Sequence, residues 1–288
     1  MIASPRNILT IDVEEYFHAL NLRPAYPEPS WDSLESRVWV GMERLFELLA
    51  RKGVSATFFV LGWVAERHRD LVQAIAYQGH EVASHGISHR TAFELGPGAY
   101  GEEIVRSRHL LEELSGRPVV GFRASTFSVT LSTAWVFDHL LASGYAYDSS
   151  VFPVRHDRYG VPGFSRAPVR VRRAAGEIVE LPLLTRRILG VDLPAGGGGY
   201  LRLLPMGFHR RALRDLNAQG EPAVVYLHPW ELDPDQPRAR LPVLNRWRHY
   251  GNLRRTVERL SRLLDEFPFG TALDFVQTRG RELRRVEL

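Results

Sequence analysis

Short apolar runs and amphipathic helical stretches alternate along most of the 288-residue chain, and this alternation constrains the fold more than any other feature. Residues 7–12, 55–61, 81–84, 119–122, 145–147, 177–181 and 223–227 read as short strands. Between them apolar residues recur at helical spacing. Leu34, Val38, Met42, Leu45, Phe46 and Leu49 predict a helix over 32–51, opened by Asp32 or Ser33 and closed by Gly53. Further helices are expected over 70–78, 100–114, 131–142, 208–217 and about 250–266. Parallel strands need crossover connections, so the alternation implies an α/β fold with a parallel sheet closed or nearly closed into a barrel. Residues 272–276 fit a last strand. Two stretches break the pattern. Residues 151–176, rich in Pro, Arg and Gly, are expected to form a long loop. Residues 194–205 hold four consecutive glycines but lack a phosphate-binding Gly pattern, which leaves a flexible loop or a close backbone approach to a polymeric ligand. There is no internal repeat and no compositional shift, so residues 1–288 are read as a single catalytic domain with a helical C-terminal extension over about 229–288.

The strand ends carry the chemistry. The first strand ends in Asp12-Val13-Glu14, and period-2 alternation puts both acids on one side with Val13 on the other. The 81–84 strand runs into His85-Gly-Ile-Ser-His89, whose i, i+4 imidazoles can reach one ion from a single helical face. The 119–122 strand delivers Arg123, and the 223–227 strand ends in His228. Two histidines, a carboxylate and an open position are the composition of a catalytic rather than a structural zinc-type site.

Composition narrows the alternatives. Hydrophobic content of 44 % and charged content of 24 % are ordinary for a globular chain. The net charge of +4 rests almost wholly on arginine, Lys52 being the only lysine, and no nucleic-acid motif accompanies it, so no nucleic-acid partner is expected. With no cysteine, disulfides, thiolate metal sites and cysteine nucleophiles are excluded. The N-terminus enters a strand without a basic leader or long apolar segment. The expectation is no signal peptide, no integral membrane segment and cytoplasmic residence, with work at the inner membrane face as a variant of it.

The ordered set Asp12-Val-Glu14, His85-Gly-Ile-Ser-His89, Phe122-Arg123, Tyr147-Asp-Ser-Ser150 and Leu227-His228 resembles the polysaccharide deacetylase family, over about residues 7 to 276. Asp12-Val-Glu-Glu-Tyr-Phe-His18, the Gly-rich Gly196–Leu204 stretch, the run from His228-Pro-Trp-Glu to Pro237 and Arg248-His-Tyr-Gly-Asn-Leu253 resemble the branch encoded with exosortase-type exopolysaccharide loci. The resemblance implies a distorted (β/α) barrel of about seven strands and metal-dependent removal of N-acetyl groups from an acetamido-sugar polysaccharide. Within it, Asp12 falls on the base, Glu14, His85 and His89 on the ligands of one divalent ion, with zinc the leading candidate, and Arg123 on the group that orients the base. His228 falls on the general acid and Asp148 on its acidic support. The family's adjacent acids are here separated by Val13, and its proline after the arginine is here Ala124.

Structural readings compete with these roles. Asp12 can cap a turn, Arg123 can serve a surface ion pair, His228 can simply end a strand, and Asp148 can form an Asx turn. Trp230, Tyr200 and Phe127 fit sugar stacking or core packing. The competing functions are hydrolysis of a small non-sugar amide or cyclic ureide, and non-catalytic carbohydrate binding.

Overall fold

The protein, described by a computed structural model over residues 5–156 and 159–288, bears out the alternation. Residues 1–4, on which the expectation of no leader partly rests, and 157–158 of the 151–176 stretch lie outside the described residues. In chain order the strands are β1 (Asn7–Val13), β2 (Thr57–Val60), β3 (Glu81–Ser84), β4 (Gly121–Phe122), β5 (Tyr147–Asp148), β6 (Val169–Arg173), β7 (Gly176–Glu180), β8 (Thr185–Ile188), β9 (Val191–Pro194), β10 (Val224–Leu227), β11 (Phe269–Gly270) and β12 (Arg285–Glu287). The helices are α1 (Val38–Lys52), α2 (Gly62–Arg67), α3 (Arg69–Tyr77), α4 (Ala92–Ser115), α5 (Val136–Ala142), α6 (Gly198–Leu203), α7 (Met206–Asn217), α8 (Val243–Tyr250), α9 (Thr256–Glu266) and α10 (Ala272–Arg279).

Strands β10-β1-β2-β3-β4-β5-β7 are hydrogen-bonded neighbours in that order, every pair parallel. Beyond β7 the chain reaches back to β10, where Leu183 bridges Val224 and the Leu184 amide donates to the Val224 carbonyl at 3.1 Å. These seven strands therefore close into a distorted barrel. Alternation sorts its side chains. Ile8, Phe59, Ala83, Tyr147, Val179 and Tyr226 fill the inside. Leu9, Ile11, Val13, Phe58, Val60 and Leu227 pack outward against the helices. Burial of each such valine, leucine, isoleucine or phenylalanine side chain stabilises by roughly 1.5–3 kcal/mol.

Several elements depart from expectation, each for a local reason. Helix α1 starts at Val38, not near 32, because the Glu15 carboxylate caps it from a distant segment, accepting from the Arg37 and Val38 amides at 3.0 and 3.2 Å. The 151–176 stretch is not all loop: β6 forms an antiparallel hairpin with β7. Residues 272–276 are helical, in α10. Thr271 caps that helix, its hydroxyl accepting from the Asp274 amide at 3.1 Å, and the strands of this region are β11 and β12. The 229–288 stretch is thus helical in α8, α9 and α10, but it also returns β11 to β1 and β12 to β6. The glycine run has a packing explanation. A Cβ at Gly197 would lie 1.7 Å from the Tyr226 carbonyl oxygen, so the chain can lie against β10 only without side chains there. Among the described residues no helix is long and apolar enough to cross a membrane.

Candidate active site

Because Ile8, Ala83 and Tyr226 point inward, residues an even number further along each strand do too. The same parity takes Asp12 and Glu14 from β1, His85 from β3 and His228 from β10 to the barrel interior at the strands' C-terminal ends. Arg123 follows the outward Phe122 and turns inward beside them. This is the face at which barrel enzymes build their sites.

Glu14, His85 and His89 are buried and converge. One carboxylate oxygen of Glu14 lies 2.8 Å from His85 Nε2 and 2.9 Å from His89 Nε2. His85 Nδ1 donates to the Arg123 carbonyl at 2.7 Å, which fixes its tautomer and leaves Nε2 as a lone pair in the neutral ring. A lone pair would then face a carboxylate oxygen, an arrangement that a cation between them relieves. The three residues therefore fit a divalent ion by donor type and by orientation. Without a cation, Glu14 is instead met by protonated imidazoles: burial opposes its carboxylate, but His89 and His85, charged and donating to it, outweigh burial and hold its pKa well below the ordinary value. The two histidines do not share a helical face as expected. They lie on a loop, where His89 takes the left-handed backbone (φ 60°) and Arg23 clamps its carbonyl at 2.8 Å. Such strain is held where surrounding contacts over-determine it. His18 stacks on His89 at 5.8 Å, and burial keeps its ring well below the usual histidine range.

Asp12 and His228 sit beside the triad. Arg123, fully buried, donates from one terminal nitrogen to Asp12 Oδ1 at 2.6 Å and to Thr10 at 2.8 Å. Its other nitrogens reach the Ser149 carbonyl and hydroxyl at 2.9 and 2.7 Å. The second Asp12 oxygen lies 3.9 Å from His228 Nε2. His228 Nδ1 meets Glu231 Oε1 at 2.9 Å, and the other Glu231 oxygen accepts from Arg202 Nε at 2.6 Å. Burial works against a charged His228, but the Glu231 hydrogen bond and the carboxylates of Glu14, Glu231 and Asp12 prevail, pushing its pKa up to about 9. Burial likewise opposes the Glu231 carboxylate, and Arg202 and His228 hold it down at about 2.

Asp148 is not the support of His228. On β5 the flanking Tyr147 points inward, so Asp148 points through the barrel wall to the outer layer. There it accepts from the Ser150 amide and hydroxyl at 3.1 and 2.7 Å, the Asx turn weighed against catalysis. Its register partner Glu180 lies beside it, and the two carboxyls share a hydrogen bond. Burial and then Asp148 raise the Glu180 pKa well above 4.5, and burial raises Asp148 as well. A carboxylic acid that stays protonated only when folded contributes stability fully present below its unfolded pKa and lost as pH rises toward the folded one. Glu180→Gln keeps a neutral donor there and removes this slope. Wild-type melting temperature should therefore fall relative to Glu180→Gln as pH rises above the ordinary carboxylate range. Parallel curves in thermal scans would show that the pair is not protonated.

Glu231 and Arg202 are the functional-site residues that the strand-end pattern misses. His228-Pro-Trp-Glu231 carried the signal: Pro stands at the first helical position, and His228 at the N-cap forms a capping box with Glu231 at the third, Glu231 Oε1 accepting from the His228 amide at 3.1 Å. Trp230 is 8 % exposed and sandwiched between His228 (5.0 Å) and His249 (4.5 Å), so it packs against the histidine rather than standing open to a sugar.

A (β/α) barrel with two histidines and a carboxylate at its mouth, flanked by an Asp–Arg pair and a Glu-supported histidine, defines a class of hydrolase-type sites. Residues 39–140 match the polysaccharide deacetylase family, and residues 149–277 match a domain of unknown function (DUF3473). The chain is 29 % identical over 161 residues to the peptidoglycan deacetylase-like protein FGM2 of Gibberella zeae, covering 54 % of this chain and 46 % of that one. It is 29 % identical over 112 residues to the peptidoglycan deacetylase of Helicobacter pylori, covering 39 % and 37 %. It thus spans less than half the length of these two curated relatives. A solved Mycobacterium smegmatis protein assigned to the polysaccharide deacetylases superposes with a TM-score of 0.67 at 21 % identity, covering 99 % of this chain and 93 % of that one. The PuuE allantoinase superposes with a TM-score of 0.64 at 14 % identity, covering 96 % and 90 %. Residues 39–140 thus carry the match to the polysaccharide deacetylase family, and the chain as a whole shares the fold of these two solved proteins.

Proposed function

We propose that this chain is a metal-dependent N-deacetylase of an acetamido-sugar polysaccharide, with residues 1–288 as one catalytic domain. The observation that carries the reading is the buried convergence of Glu14, His85 and His89 between Asp12–Arg123 and His228–Glu231. Two imidazoles and one carboxylate suit zinc. A divalent ion held there would polarise the acetamide carbonyl and make the attacking water more acidic. The protein's own groups do the rest. Asp12, aimed by Arg123, takes the proton of the attacking water. His228, whose Nδ1 is engaged by Glu231, presents Nε2 to the site and gives its proton to the leaving sugar nitrogen. Acetate and a free amine result. A role in exopolysaccharide biosynthesis rests on the resemblance of the stretches around Asp12, Gly196, His228 and Arg248 to the exopolysaccharide-locus branch.

The test is acetate release from N-acetylglucosamine oligomers, with and without chelator, alongside metal analysis of His85→Ala and His89→Ala. Release that chelator abolishes and added zinc restores is expected, with both variants losing stoichiometric metal. Hydrolysis of allantoin but not of the oligomers would move the site to the small-ureide class. Full metal occupancy in both variants would overturn the ligand assignment.

A further inference from the structure

Between Gln236 and Val257 the chain carries six arginines (Arg238, Arg240, Arg246, Arg248, Arg254 and Arg255) and no acidic residue. Elsewhere arginines are commonly paired: Arg37 with Asp233, Arg90 with Glu28, Arg173 with Asp138 and Arg187 with Asp192. In this run only Arg254 has an ion pair among the described residues, a 3.4 Å contact with Asp235 at the surface. Arg238, Arg240 and Arg246 instead line an open cavity of about 860 Å³ with Leu241, Trp247 and Tyr250, and no carboxylate lines it among the described residues. The same helix turn exposes large apolar side chains. Val243 is 76 % exposed, and Leu244 and Trp247 are each 55 % exposed. At positions i, i+1 and i+4 of α8 they form one outward face. Single exposed apolar residues are ordinary, but three on one turn ringed by cations that face no carboxylate are not.

We infer that the Arg238–Tyr250 face docks on an anionic lipid bilayer, the arginines meeting lipid phosphates and Val243, Leu244 and Trp247 entering the headgroup–acyl boundary. Apolar side chains with tryptophan beside arginine are the composition of interfacial anchors. Exposed valine and leucine offer no stacking platform, which favours lipid over nucleic acid. A second copy of the chain would set arginine against arginine. The face is also built before docking. Tyr250 Oη accepts from the Ala239 amide at 2.9 Å and donates to the Pro237 carbonyl at 3.3 Å, and His249 Nε2 bonds Gln236 Oε1 at 3.1 Å. Arg202 donates to the carbonyls of Arg248 and Gly251 at 3.1 and 2.6 Å, closing the C-terminal end of α8. Since Arg202 also holds Glu231, the docked face is continuous with the wall behind His228. Little ordering is therefore left for binding to bring about.

Cosedimentation with phosphatidylcholine vesicles, and with vesicles in which about a third of the lipid is phosphatidylglycerol, tests this at low and high salt. Binding to the anionic vesicles that salt weakens is expected. Each Arg→Gln change at 238, 240 or 246 should weaken it about fivefold, and the triple variant on the order of a hundredfold. Val243→Ser/Leu244→Ser should weaken it too. Quenching of tryptophan fluorescence by lipids with brominated acyl chains should be lost in Trp247→Phe, with circular dichroism confirming that all variants are folded. Equal binding to both vesicle types, binding to neither, undiminished binding of the folded triple variant, or preference for polyuridylic acid over vesicles would each overturn the proposal.

Discussion

Asp12→Asn should keep the metal and lose turnover by about 10²–10⁴. The substitution preserves shape and one acceptor oxygen toward Arg123, so the interior is little disturbed. Asp12 makes no contact with the imidazole nitrogens that face Glu14, whose own carboxylate oxygen lies 2.8 and 2.9 Å from them. What is lost is the carboxylate that faces the site and is held by Arg123, at 2.6 Å. An amide has no proton-accepting capacity at neutral pH, so water attack loses its base. Glu14→Gln should show the opposite pattern, with weakened metal binding as the primary defect. The pair is read by metal stoichiometry beside acetate release. Near-normal turnover in Asp12→Asn would mean that the base lies elsewhere, and equal metal loss in both variants would make Asp12 a ligand.

Asp12 and Glu14 also illustrate why part of this site was legible in sequence. A strand has a two-residue period, and a barrel has an inside, so two acids flanking Val13 must share a side. The same rule applied to Tyr147-Asp148 turns Asp148 away from the site, since Tyr147 fills the barrel interior. The motif match placed Asp148 beside His228, whereas local geometry sends it to Glu180. His228's real support, Glu231, lay three residues downstream in a capping pattern. Arg202 had no such signal, because its approach to Glu231 depends on how α6 packs against the 229–251 segment. The early end of α1 was illegible for the same reason, its cap Glu15 lying 22 residues before Arg37 in the chain. In α10, by contrast, Thr271 and Asp274 are a readable start signal that outweighed the apolar run behind it.

His228→Ala should keep the metal and slow hydrolysis of an N-acetylated sugar by about 10²–10⁴. An amine leaves poorly without a proton, while an activated acetate ester leaves unaided, so the loss on such an ester should be much smaller. Glu231→Gln separates positioning from proton donation. With Glu231 ionised, His228 is held protonated up to about pH 9, and a group that acts as an acid loses activity as pH rises through its pKa. A cation on Glu14 would offset part of that negative field and draw the value toward neutrality. Removing the Glu231 charge lowers it further, while the amide oxygen that replaces the carboxylate can still accept from Nδ1. The alkaline limb of kcat/KM should therefore move to lower pH in Glu231→Gln, with the acid limb in place. Arg202→Met should move it the opposite way, to higher pH, because a neighbouring positive charge is lost, and should also destabilise the fold, because Glu231 is left buried with His228 as its remaining cationic partner. Equal losses on amide and ester in His228→Ala, or an unmoved alkaline limb in Glu231→Gln, would make His228 a substrate- or metal-positioning group and leave the proton donor to be found on the opposite wall.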